Sequence, residues 1–135
     1  MVTAESAGAR ILVIDDDAPL LAFTCKYLSR LGYRPVSYRS AEEAWKHFQA
    51  TAAHYSLAVI DLSMPGISGQ QLARMMLGLD PEIRLILTSG YPFDTERSLP
   101  AEPDRVVFIH KPFTPALLAE IVDRLIRSCP KRDAD

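Results

Sequence analysis

Four short apolar runs recur along the chain, at 11–14, 57–60, 85–87 and 106–109, and each leads into a polar residue. Runs of this length are too brief for helices and suit strands buried on both faces. Residues 34–38 add a fifth, more mixed strand. The intervals between strands carry helix punctuation. Asp15-Asp16-Asp17 precedes Pro19, which suits the first turn of a helix running to Leu31 and stopped by Gly32. Ser40-Ala41-Glu42-Glu43 has the form of a capping box and starts a helix carrying Ala44, Trp45 and Phe48. The loop at 64–69 is rich in turn residues. A helix follows over 70–79, ended by Asp80-Pro81. Thr114-Pro115 opens a last helix through Ile121, Val122, Leu125 and Ile126. The prolines at 92, 100 and 103 leave only 93–99 free to be helical, so a short or distorted fourth helix is expected there.

Strand and helix alternate throughout, which predicts an α/β fold: a doubly wound, five-stranded parallel sheet with helices on both faces. The expected unit is 10–128, between a flexible N-terminus over 1–9 and a flexible tail over 129–135. On the first helix, Leu20, Phe23, Thr24, Tyr27 and Leu31 share a stripe expected to face the core. Leu21, Ala22 and Cys25 would then form an apolar patch beside the acids, able to dock a partner helix bundle.

Length and composition narrow the function. With 135 residues, 48% of them hydrophobic, the chain can bury one core. Net charge is −2, with a pI near 5.9, and the basic residues form no stripe, which argues against direct binding of nucleic acid. No run approaches the ~20 apolar residues of a membrane span. The N-terminus has no secretory pattern, so a cytoplasmic location is expected. Cys25 and Cys129 are distant and unpatterned, and read as structural thiols. His47, His54 and His110 lack metal-ligand spacing. The chain ends soon after the last helix, so output is expected to pass through protein contacts.

The polar residues at the strand ends carry the chemistry. They are Asp15 and Asp16, Asp61, Thr88 and Lys111. Parallel strands would bring all of them to one sheet edge, where open α/β sheets place their sites. In the flavodoxin-like order 2-1-3-4-5, Asp61 lies between the acid pair and Thr88. Lys111 starts two strands away, about 10 Å, a gap its long stem can largely bridge to pair with Asp61. Several carboxylates at one spot repel, so at least one pKa should rise. A hard divalent cation such as Mg²⁺ would relieve that repulsion. The set suits phosphoryl transfer onto an aspartate. Each residue also has a plainer reading, as a cap, a turn or a strand end. Only the joint pattern argues for a site.

Four segments make the pattern specific: Ile-Leu-Val-Ile-Asp-Asp-Asp from residue 11, Val-Ile-Asp-Leu-Ser-Met-Pro-Gly from 59, Leu-Thr-Ser-Gly-Tyr from 87, and Lys111-Pro112-Phe113. They resemble the motifs of two-component response-regulator receiver domains (CheY-like), over about residues 10–127. The wording around Thr88 and Lys111 is similar to that of receivers at the C-termini of hybrid histidine kinases. The resemblance implies a phosphorelay domain rather than an enzyme, with at most self-catalysed phosphorylation and dephosphorylation. Asp61 would take a phosphoryl group from a phosphohistidine on a histidine kinase or histidine phosphotransfer protein. Asp15 (through water), Asp16, Asp61 and the Ser63 backbone carbonyl would hold Mg²⁺ or Mn²⁺. Thr88 and Lys111 would sense the phosphate, and Phe108 would be the aromatic switch. Ser63 and Gly90 would occupy the positions that tune phosphate lifetime. The Lys111-Pro112 bond is expected to be cis. Partner identity and oligomeric state stay open. Two other readings remain: a haloacid-dehalogenase-like phosphatase with Asp15 as nucleophile, and a receiver used only as a scaffold.

Overall fold

A computed structural model describes residues 8–90 and 105–130, apart from the Ala53 side chain. The strands are β1 (Arg10–Ile14), β2 (Arg34–Tyr38), β3 (Leu57–Asp61), β4 (Arg84–Ser89) and β5 (Val106–His110). The helices are α1 (Ala18–Arg30), α2 (Ala41–Thr51), α3 (Gly69–Leu79) and α4 (Pro115–Arg127), with one 3-10 turn at Ala52–His54. All strand pairings are parallel, and the order is β2-β1-β3-β4-β5. This is the flavodoxin-like sheet expected from the alternating pattern. The helix expected over 93–99 and most of the expected flexible ends lie outside the described residues. The packed core reaches Ala9 and Cys129, one residue beyond each end of the expected 10–128 unit.

The strands alternate their side chains between two apolar layers. Leu12, Ile14, Ala58, Ile60, Leu85 and Leu87 pack toward α2 and α3. Ile11, Val13, Leu57, Val59, Ile86 and Ile109 pack toward α1 and α4. Four polar side chains fix where the helices begin. The Asp17 side chain accepts from the Leu20 N–H, Ser40 from Glu43, Ser68 from Gln71 and Thr114 from Leu117. Gly32 ends α1 at φ +101°, a conformation that glycine adopts without penalty.

The expected orientation of α1 is corrected. Leu21, Thr24 and Leu28 are its buried residues, whereas Phe23 is 54% exposed and stacks on Tyr27 at 6.4 Å. Ala22 is exposed and Cys25 half-buried. The helix is apolar on nearly every side, so a 3.6-residue period fits two stripes equally well. The turn capped by Asp17 sets which stripe meets the sheet. Both cysteines are free, and burial pushes the Cys25 thiol up, as expected for an unreactive structural group. His54 and His110 are exposed, while His47 lies 2.6 Å from the Tyr55 hydroxyl.

Candidate functional site

The parallel sheet turns its C-terminal edge into a row of strand-end groups. Asp15 leaves β1 directly, and its N–H donates to the Tyr38 carbonyl at the end of β2 (3.2 Å). Its Oδ1 accepts from the Asp17 N–H (2.9 Å), so strand end, turn and helix cap form one bonded unit. Asp61 is the last residue of β3, in register with Thr88 of β4. Its Oδ1 accepts from the Ser63 N–H (3.0 Å). The next residue, Leu62, donates its N–H to the Thr88 carbonyl (2.8 Å). Lys111 follows β5, tied by its N–H to the Ser89 carbonyl (2.8 Å), and its bond to Pro112 is cis.

These backbones bring the side chains together. The Lys111 ammonium lies 3.6 Å from Asp61 Oδ2 and 3.2 Å from Asp15 Oδ2. The pairing with Asp61 was expected. The closer contact with Asp15, from the opposite side of Asp61, was not visible in the sequence. Asp15, Asp61 and Thr88 are all buried, at 7%, 4% and 2% exposure. Asp16 is exposed, yet Asp15, Asp16 and Asp61 each offer a carboxylate oxygen within 4.8 Å of the others. Burial pushes the Asp15 carboxyl up from its ordinary value, and the Asp61 carboxylate adds to this. The Asp17 N–H and the Lys111 ammonium pull it partly back. The rise expected from carboxylate repulsion falls on Asp15, but burial contributes more to it than the Asp61 charge does.

The donor set is all oxygen and strongly anionic, which fits Mg²⁺. Ser63 and Gly90, the two positions expected to tune phosphate lifetime, are both exposed. Phe108 is half-buried and packs on the layer beneath α2 and α3. Gly69, the first residue of α3, approaches the site more closely than the sequence indicated. A Cβ there would lie 2.5 Å from the Asp61 carbonyl oxygen.

Residues 11–123 match the family described as response regulator receiver domain. The chain belongs to that family. It is 33% identical over 129 residues to the C4-dicarboxylate transport transcriptional regulatory protein DctD of Rhizobium meliloti (strain 1021). That alignment covers 95% of this chain and 26% of the relative, so the chain spans about a quarter of its length. The receiver domain of the hybrid histidine kinase CckA superposes with a TM-score of 0.73 at 27% identity, covering 87% of this chain and 99% of that one. The response regulator TrrA of Thermotoga maritima, solved in complex with Mg(2+)-BeF, also gives 0.73, at 28% identity and 87% and 98% coverage. The resemblance to response-regulator and hybrid-kinase receivers is thus supported. Among the described residues, no helix is long and apolar enough to cross a membrane.

Proposed function

We propose that residues 10–128 form a receiver whose phosphoacceptor is Asp61, serving a two-component phosphorelay in the cytoplasm. The observation that carries this reading is the convergence of Asp15, Asp16 and Lys111 on the buried Asp61 carboxylate. Asp61 Oδ1 is engaged by the Ser63 N–H, leaving Oδ2 on the Lys111 side as the attacking atom. Oδ2 forms a bond to the phosphorus of a phosphohistidine. The P–N bond breaks, its electron pair returns to the imidazole, and an acyl phosphate results. Lys111 neutralises the charge gathering on the transferred oxygens. Thr88, in register with Asp61, offers a hydroxyl to one of them, and Phe108 relays that change outward. Asp15, Asp16, Asp61 and the Ser63 carbonyl would hold Mg²⁺ or Mn²⁺, which supplies charge neutralisation and orients the phosphoryl group. The Mg(2+)-BeF held by the TrrA relative supports this assignment. Ser63 and Gly90 carry no acid or amide that would position an attacking water. Both are small and leave a hydrolytic water unblocked.

The donor is a histidine kinase or histidine phosphotransfer protein, and its docking place adjoins the acceptor. Leu20, Phe23 and Tyr27 of α1 face Phe113 and Leu118 across an apolar groove of about 180 Å³. Lys111 lines this groove and also contacts Asp61, so a protein delivering a phosphoryl group to Asp61 rests on this face. The groove replaces the Leu21, Ala22 and Cys25 patch expected from the sequence.

Labelling with a small phosphodonor and Mg²⁺, read by intact mass, tests the acceptor. Wild type gains one phosphoryl group, and Asp61→Asn gains none. Labelling that persists in Asp61→Asn and is lost in Asp15→Asn would instead mark Asp15 as the nucleophile of a phosphatase. A wild type that never labels supports a scaffold role.

A further inference from the structure

The turn that leaves Asp61 is pinned from outside by a residue that has no part in the acceptor chemistry. Met64 is buried within the turn, but Ser63, Pro65 and Gly66 are exposed. The Ile67 N–H donates to Glu42 Oε2 (3.1 Å), reaching back to the first turn of α2. The other carboxylate oxygen is also engaged, because the Ser40 hydroxyl donates to Glu42 Oε1 (3.1 Å). That hydroxyl in turn accepts from the Glu43 N–H (3.3 Å), so the group that caps α2 also holds the carboxylate that tethers the turn. Gly66 has φ +80°, and a Cβ there would lie 2.6 Å from Glu42 Oε2. The carboxylate thus fills the space that any side chain at Gly66 would need. A helix N-terminus favours negative charge at this position. Its own N–H, the Ile67 N–H and the Ser40 hydroxyl all hold the Glu42 carboxyl below its ordinary range, so it stays charged at neutral pH.

We infer that Glu42 is a positioning residue for the acceptor loop, holding Gly66 and Ile67 so that the Ser63 carbonyl and the Asp61 carboxylate are set for Mg²⁺. The inference rests on the acceptor and metal roles proposed for Asp61 and Ser63. Glu42 itself stays at the far end of the turn, against the Gly66-Ile67 backbone. Losing the carboxylate frees one end of the turn while leaving Asp61 and its β3 neighbours in place.

Two measurements on the full chain test this. The first is amide hydrogen exchange of Ile67 and its neighbours without metal. Glu42→Ala should speed exchange at Ile67 about threefold, as expected for losing a solvent-exposed hydrogen bond to a carboxylate. Exchange in β1, β3 and β4 should not change. The second is Mg²⁺ binding by calorimetry, which should weaken about three- to tenfold in Glu42→Ala. Glu42→Gln keeps an acceptor oxygen and should recover part of both effects. Wild-type exchange and wild-type affinity in Glu42→Ala would overturn the inference. So would faster exchange with unchanged affinity, because the tether would then not reach the metal site. A wild type that binds no Mg²⁺ overturns the metal assignment itself, and the wild-type titration alone reveals that outcome.

Discussion

Two glycines in α3 offer a controlled comparison. At Gly69 an added Cβ would meet the Asp61 carbonyl oxygen at 2.5 Å, the Leu62 Cα at 2.6 Å and the Asp61 carbonyl carbon at 3.0 Å. Ordinary contact begins near 3.4 Å, so the first gap is short by about 0.9 Å. All three obstacles are backbone atoms, which have no rotamer to change. Relief requires α3 to back away from the end of β3. Such overpacking costs up to about 3 kcal/mol, against which the better helix propensity of alanine returns about 1 kcal/mol. The net loss is about 2 kcal/mol, which for a chain of this size lowers Tm by about 7 °C. Gly78 sits in the same helix with nothing within 4 Å of its added Cβ. There only the propensity gain of about 1 kcal/mol operates, and Tm should rise about 3–4 °C. Thermal melts followed by circular dichroism at one pH and ionic strength give both shifts. The Gly69→Ala backbone shift also moves the acceptor's own carbonyl, so labelling by a small phosphodonor should slow. A Gly69→Ala protein melting at or above wild type, beside a normal Gly78→Ala, would refute the close approach of α3 to Asp61.

Three further outcomes are expected. A carboxyl whose folded pKa lies above its unfolded value binds its proton more tightly when folded, so stability falls as pH rises through that interval. Asp15 is such a group, and without metal at neutral pH Asp15→Asn should resist urea better than wild type, with the advantage fading toward acid; a variant weaker at neutral pH contradicts the burial argument. Arg84 is buried and donates to the Glu82 carbonyl and to the hydroxyl and carbonyl of Ser128 at the end of α4. Arg84→Met should cost about 1–3 kcal/mol, seen as a lower urea midpoint at unchanged slope, and an unmoved midpoint would show that the clamp contributes nothing. Phe23→Asp should slow phosphotransfer from a phosphohistidine protein at least about tenfold while small-molecule labelling keeps its rate; equal slowing of both would place the fault in the site instead of the groove.

The meeting of these polar groups at one sheet edge was legible because each follows or ends an apolar run, and strand order then fixes which neighbours meet. Asp61, Thr88 and the acid pair needed no more than that. The Lys111 contact with Asp15 was not legible, because it depends on how far the ammonium reaches past Asp61 in the folded sheet. The buried stripe of α1 is hidden from the sequence for a different reason. Leu20, Leu21, Phe23, Cys25, Tyr27 and Leu28 cover too much of the helix for periodicity to choose a face. Glu42 and Arg84 gave no local signal at all. One reads as part of a capping box and the other as a charged strand start, and their decisive partners lie 25 and 44 residues downstream.

The Lys111 bridge between Asp15 and Asp61 has a bearing on how such a domain lives with a fluctuating ion supply. Two buried carboxylates facing each other without a cation would push their strands apart. Here the protein brings its own positive charge on a tether long enough to swing aside. The sheet edge therefore carries a partly compensating charge of its own. On the metal role proposed for Asp15, Asp16 and Asp61, scarcity of the ion withholds phosphoryl transfer while Lys111 goes on offsetting the charge of the two buried carboxylates.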